Sequence, residues 1–216
     1  MNAEEFVAEL DRENRALLDR LAERSSAGEA RVSVTALLKL ALRNEYEATE
    51  LAAAWVADTV ELDAKLAFAR QCGDEAKHYR FIEERLRALG EPLDGFDPAA
   101  PGPSALLAHL RTLRSTVERA AAGPFTREAI AVACNHVFAE LCVERGDYET
   151  AALYRERIQP DEQHHHELGR RLLLKYADSP DAQARARAAA HATLRVADEL
   201  QELARLKAGI SRAPGC

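Results

Sequence analysis

Two segments 87 residues apart, DEAKH at 74–78 and DEQHH at 161–165, carry the same Asp-Glu-x-x-His spacing. The correspondence extends outward: shifted by 87 positions, DAKLAFARQCGDEAKHYRFIEERL lies over TAALYRERIQPDEQHHHELGRRLL. With 24 Glu and 7 His in 216 residues, random placement supplies roughly one Glu-x-x-His tetrad, a spacing that puts both side chains on one helix face. Two tetrads, each after an aspartate and each at the same place in a repeat, exceed that expectation. The chain must therefore build two long helices, each bearing a Glu/His pair, and pack them in a common frame.

Composition agrees with helices throughout. Hydrophobic residues make up 47% and aromatics only 6%, Ala, Leu, Arg and Glu dominate, and Gly and Pro cluster in a few places. That is an all-α composition. The spacing predicts a helix over 3–25, a linker in LAERSSAGEARVSV, and a long helix after Ser33 ending near Ala57. Asp58 with Glu61 looks like a capping box for a helix that stops at Gly90. EPLDGFDPAAPGPS at 91–104 is the one Pro/Gly-rich connection. A helix over 105–122 closed by AGP follows, then one from Thr126 to Arg145 stopped by Gly146. Asp147 caps a helix running to Tyr176 with Pro160 inside it, where a kink or bulge is expected. Ser179 and Pro180 open a last helix to about Lys207, and the tail ISRAPGC is expected to fray.

Each copy of the repeat follows a capped turn and a long apolar helix. Two helical hairpins joined by a long crossover are the plan of a four-helix bundle with one crossover. The chain then reads as a single domain over 1–216: an N-terminal helix in 1–30, a bundle over 33–176 including the crossover region 91–123, and a C-terminal helix and tail over 179–216.

The Glu/His pairs fall on apolar stripes. Phe68, Cys72, Glu75, His78, Ile82, Leu86 and Leu89 share one helix face, and Tyr154, Ile158, Glu162, His165, Leu172 and Tyr176 share another. An ionised carboxylate facing a core is costly unless it is paired or binds a cation. A salt bridge to a core arginine is the plain alternative; a metal site is the reading preferred here. A dinuclear site in such a bundle takes one more carboxylate from each of the other two helices. In the first bundle helix the choices are Glu45, Glu47 and Glu50. Glu45 is favoured because it shares the stripe of Leu38, Ala41, Leu42, Ala48, Ala52 and Trp55, whereas Glu47 and Glu50 lie on the flank. In the third the choices are Glu128 and Glu140, and Glu128 is favoured because it matches Glu162 in depth from the turn at Gly146. His164 and His166 point to either side of His165 and read as surface residues; His109 and His136 read as ordinary helix residues.

Glu45, Glu75-x-x-His78, Glu128 and Glu162-x-x-His165 together resemble the ligand pattern of the ferritin-like di-iron carboxylate superfamily. NEYEATEL and EAIAVACN are similar to the first and third ligand helices of aldehyde-deformylating oxygenase. The resemblance covers about 33–176. It implies a ferritin-like four-helix bundle, here with extra N- and C-terminal helices, holding two iron ions, with manganese suited to the same ligands. The function implied is an oxidoreductase that uses dioxygen or peroxide to oxidise a small organic substrate, its electron donor unspecified. A ferroxidase, iron-storage or peroxide-detoxifying protein is the second expectation, and a non-catalytic helical binding module the third.

Other classes are disfavoured. A net charge of −7 without a basic block argues against nucleic acid. The longest apolar runs, such as LAAAWVA at 51–57, are too short to cross a bilayer. The acidic opening MNAEEFVAELDREN lacks the marks of a signal peptide, and Cys72, Cys134, Cys142 and Cys216 form no CxxC pair, so a cytoplasmic, reduced protein is expected. The last helix either packs on the bundle or pairs with a second copy in a homodimer.

Overall fold

The computed structural model describes residues 1–27 and 32–215. The linker's central residues 28–31, and with them the end of the expected break at SSAG, lie outside the described residues, as does Cys216. All secondary structure among the described residues is helical: α1 (Ala3–Ala27), α2 (Val34–Asp58), α3 (Leu62–Ala88), α4 (Ala105–Leu110), α5 (116–144), α6 (148–176) and α7 (Pro180–Ala208). No helix there is long and apolar enough to cross a membrane.

Local chemistry sets most of the boundaries. Ser33, Asp147 and Ser179 cap α2, α6 and α7 through side-chain oxygens that accept the N–H of Ala36, Thr150 and Ala182. Gly90 and Gly146, both at positive φ, end α3 and α5. In each case the next residue's N–H reaches back five positions, Glu91 to Leu86 and Asp147 to Cys142. Asp58 is not a cap. It is the last residue of α2, and Glu61 occupies the N-cap of α3 without capping it; its carboxylate instead accepts from Thr116 Oγ1 at 2.5 Å.

The third long helix departs most from the sequence-based expectation. The helix expected over 105–122 breaks at 111–115, because Ser115 and Glu118 form a capping box that starts a new helix. That new helix does not close at Ala122-Gly123-Pro124. It passes through them as a π-helical segment, Ala121–Arg127, and continues as Glu128–Glu144. The wider turn accommodates Pro124, which has no N–H to donate, and the N–H of Glu128 returns to the Gly123 carbonyl. α6 repeats the device. Its π-helical segment Tyr154–Ile158 precedes Pro160, and the Gln159 N–H returns to Tyr154.

α2 packs along α3, and α6 packs along both parts of α5. α1 and α7 lie across α5, with Asn14 donating to Thr126 in the π segment. Two glycines permit closest approach to that segment. A Cβ on Gly169 of α6 would fall 2.3 Å from the Phe125 nitrogen, and one on Gly123 would fall 2.5 Å from the Trp55 ring.

The apolar core falls into three clusters among the described residues: a small one of Leu21, Ile130, Cys134, Leu194 and Ala197, and two larger ones. One of the larger two includes Leu51, Trp55, Ala64, Phe68, Phe125, Leu172 and Leu173; the other includes Leu38, Leu42, Ile82, Leu86, Phe138, Cys142, Tyr154 and Ile158. On each of α2, α3, α5 and α6 a buried acidic or histidine residue lies between its contributions to the two clusters. Over its described residues the tail does not fray: Ser211 is buried, Pro214 accepts from Asn44, and the Gly215 N–H donates to Asn135. Ile210 and Ala213 pack against the second apolar cluster.

Candidate metal centre

Glu45, Glu75, His78, Glu128, Glu162 and His165 all meet in the layer between the two apolar clusters, none more than 5% exposed. They form two overlapping sets. Glu45, Glu75, His78 and Glu162 each offer a donor atom within 4.8 Å of the others, and so do Glu75, Glu128, Glu162 and His165. Glu75 and Glu162 belong to both sets. Each divides its oxygens between the histidines: Glu75 Oε2 lies 3.3 Å from His78 Nδ1 and its Oε1 3.7 Å from His165 Nδ1. Glu162 places Oε1 3.7 Å from His78 Nδ1 and Oε2 3.5 Å from His165 Nδ1.

The outer nitrogens are held by the aspartates that precede each glutamate, and the two copies cross over. His78 Nε2 on α3 lies 3.2 Å from Asp161 of α6, and His165 Nε2 on α6 lies 3.2 Å from Asp74 of α3. Lys77 bridges the two aspartates at 3.1 and 2.6 Å. A carboxylate on one ring nitrogen fixes the ring and leaves the other nitrogen for the interior. Among the described residues that inner nitrogen, Nδ1, makes no hydrogen bond in either histidine, although both rings are wholly buried; Glu162 Oε2 is likewise unpartnered there. Buried polar atoms are rarely left so. Three orphaned donor atoms converging on carboxylate oxygens fit a pair of divalent cations.

Electrostatics show how the cluster stands without cations. Burial pushes the Glu45 carboxyl up to about 7, offset in part by His78. Burial, then the Glu75 and Glu128 charges, hold Glu162 well above the carboxylate range. Glu75 goes the other way: against burial, His78, His165 and Arg127 hold it below that range. Burial lowers both histidines, but Glu45 and Glu75 raise His78 to about 12, and Asp74 and Glu162 raise His165 to about 11. Protons on imidazole thus do the neutralising that a bound cation would do, and binding must release them.

The alternatives weighed on the sequence fall elsewhere. Glu140 pairs with Arg155, and Glu50 with Arg111, both at the surface. Glu47 is buried on its flank: it accepts from the Ser104 backbone and hydroxyl and lies 3.3 Å from Arg43, tying the crossover to α2. Cys72 does not face the core stripe; its thiol meets the Thr49 carbonyl, and Gln71 turns inward instead. His166 is half-buried, stacks on Phe125 and bonds its carbonyl at 2.7 Å, so it is a packing residue and not a free surface one.

Four groups at the centre were missed as contributors. Asp74 and Asp161 repeat in both copies, and that repetition was the available signal. Gln71 Nε2 donates to Glu128 Oε1 at 2.6 Å and lies 3.4 Å from Glu75 Oε1. Arg127, 7% exposed, donates from Nη1 to the same Glu128 oxygen at 3.0 Å and lies 3.8 Å from Glu75 Oε1. Nothing in a regular helical projection brings Arg127 and its neighbour Glu128 to one site; the π-helical turn ending between them does.

Comparison with known proteins adds a family and nothing more specific. No curated protein and no solved structure matches the chain. Residues 7–214 match the model of a family described as "Protein of unknown function (DUF455)", and the chain belongs to that family.

Proposed function

We propose that this protein is a ferritin-like four-helix bundle, completed by α1 and α7, that holds two iron or manganese ions and acts as a dinuclear oxidoreductase on a small organic substrate. One observation carries the reading: two four-donor sets share Glu75 and Glu162, with both histidine Nδ1 atoms buried and unpartnered. Four carboxylates suffice to neutralise two divalent ions, and two imidazoles complete the set without adding charge. A bound ion pair would supply the redox chemistry toward dioxygen or peroxide.

The chain's own residues do the rest. Asp74 and Asp161 fix the histidine rings so that Nδ1 faces inward. The apolar layers on either side keep water from the centre. Glu45 lies 3.7 Å from His78 Nδ1 and would complete the His78 half of the set.

A second reading, iron handling without an organic substrate, is favoured by the position of the cavity. A cavity of about 370 Å³ lies between α2, α7 and the tail, and none of the six residues lines it. Elemental analysis of freshly purified protein, followed by spectra of the ferrous protein mixed with dioxygen, tests both. Two ions per chain and a rapid spectral change support the centre. Oxidation of an added substrate separates the enzyme from iron accumulation, and absence of metal after reconstitution would leave only a helical binding module.

A further inference from the structure

The two halves of the centre offer the same number of donors but not the same surroundings. Resting on the metal reading above, we infer that the two positions are unequal: the one built on Glu45 and His78 fills first, while Arg127 and Gln71 keep the one built on Glu128 and His165 weaker and exchangeable.

Glu128 is the starting point. Its Oε1 accepts from Gln71 at 2.6 Å and from Arg127 at 3.0 Å, so that oxygen's lone pairs are committed before any ion arrives. A single oxygen is left to bind at full strength. Glu45 has no such clamp. The imidazole beside its carboxylate is that of His78, with Nδ1 at 3.7 Å and itself a donor atom of the same set.

The shared carboxylate Glu75 repeats the asymmetry within one side chain. Its Oε2 faces His78 alone, at 3.3 Å. Its Oε1, which serves the His165 half, also meets Arg127 at 3.8 Å and Gln71 at 3.4 Å. Gln71 and Arg127, the amide and guanidinium donors described at the carboxylate layer, therefore both stand on one side. A divalent ion entering the Glu128/His165 half must settle beside a buried guanidinium that cannot lose its charge. The other half presents no fixed cation among the contacts described. Equal donor sets with a like charge beside only one must differ in affinity, by roughly tenfold or more for a unit charge a few ångströms away in a partly screened interior.

Titration of the metal-free, full-length protein with Mn(II) by calorimetry tests this. Two binding steps are expected, the second weaker by at least roughly tenfold. Arg127→Gln should tighten the weak step by about that factor and leave the tight one nearly unchanged. Because Arg127 is buried and its variant could fail to fold, two isosteric variants give an independent reading. Glu128→Gln should remove the weak step alone, and Glu45→Gln the tight one. Two equal steps in the parent, loss of the tight step in Glu128→Gln, or an unchanged weak step in a folded Arg127→Gln would each overturn the inference. Absence of any Mn(II) binding by the parent would instead overturn the metal reading on which it rests.

Discussion

The two copies of Asp-Glu-x-x-His are laid on very different helices. The first lies within α3, an unbroken α-helix, and the second follows a π-helical segment and a proline in α6. Yet Glu75 and Glu162 are equally buried, and His78 and His165 each turn an unpartnered Nδ1 inward and an Nε2 toward the other copy's aspartate. Backbone irregularity is absorbed without disturbing the donor atoms. What separates the copies is charge: the three cations around Glu75 hold it below the carboxylate range, whereas burial beside two other acids holds Glu162 well above it. The repeat places the donors, and elements outside the repeat, Arg127 above all, decide what each donor carries.

The sharpest way to break that comparison is to replace each shared carboxylate by its amide in the metal-free protein. Glu75 is held below the carboxyl range, so its charge contributes stability above that range. Glu75→Gln removes it and leaves buried cations without their partner, a loss of about 3–5 kcal/mol. Glu162 is held above the range, so burial already disfavours its charged form and the neutral amide replaces it at little cost. Glu162→Gln should change stability by less than about 1 kcal/mol. Urea unfolding of the two variants decides it, and equal losses would show that the two carboxylates do not differ in charge.

The same protons give a pH dependence. His78 and His165 have folded values raised to about 12 and about 11. Their contribution is fully present below the ordinary imidazole value of about 6.5, declines above it, and is lost as pH passes through the folded values. The metal-free protein should melt at a lower temperature at about pH 9 than at about pH 6. A melting temperature that rises over this window would contradict the assignment.

Asp74→Asn and Asp161→Asn sharpen the crossing of the copies. Each removes the carboxylate behind one histidine, and such outer partners contribute about 10–100-fold in metal affinity. Asp161→Asn should weaken the ion at His78, and Asp74→Asn the ion at His165, although each aspartate belongs to the other histidine's copy. Loss at the wrong position in a Mn(II) titration would undo the crossed arrangement.

The three consecutive histidines separate packing from binding. His165→Ala should lose at least one ion. His164→Ala should change neither metal content nor stability by much. His166→Ala should keep its metal but lose about 1 kcal/mol, the contribution of a hydrogen bond, because it holds the Phe125 carbonyl in the π segment. Metal stoichiometry and melting of the three variants check this, and identical behaviour of all three would mean that the run is not one edge of a built centre.

Much of this was legible in the sequence because it is local. Caps at Ser33, Asp147 and Ser179, stops at Gly90 and Gly146, and the stripes carrying the six residues follow from spacing alone. Two failures are local: Asp58 and Glu61 have the spacing of a capping box without forming one, and the box at Ser115 and Glu118 breaks the helix expected over 105–122. The others are long-range. Ala122-Gly123-Pro124 reads as a helix end, but Trp55 fills the space over Gly123 and Gly169 presses on Phe125, so tertiary packing holds the helix through. The tail reads as loose, but Asn44 and Asn135 hold it. Glu47 reads as a flank residue, and it is buried there because the crossover returns over it and Ser104 binds it. Arg127 was invisible because its role depends on a π turn that no periodicity announces.

The smallest expected effect concerns the residue before each aspartate. Gly73 and Pro160 occupy equivalent places in the repeat, and both are poor helix residues. They are poor for different reasons, and the structure treats them differently. Pro160 follows a π-helical segment, whose widened turn suits a residue that cannot donate its N–H. Gly73 lies in an unbroken α-helix, and a Cβ added there would meet nothing within 4 Å. The glycine therefore has no packing role on its outer side, and its cost is the extra freedom it gives the unfolded chain. Gly73→Ala should stabilise the protein by about 0.5–1 kcal/mol while leaving the neighbouring Asp74 and Glu75, and hence the Mn(II) titration, unchanged. Should Gly73→Ala destabilise the protein or weaken metal binding, α3 would need a local opening at Gly73 like the one that precedes Pro160, and the two copies would be more alike than their backbones indicate.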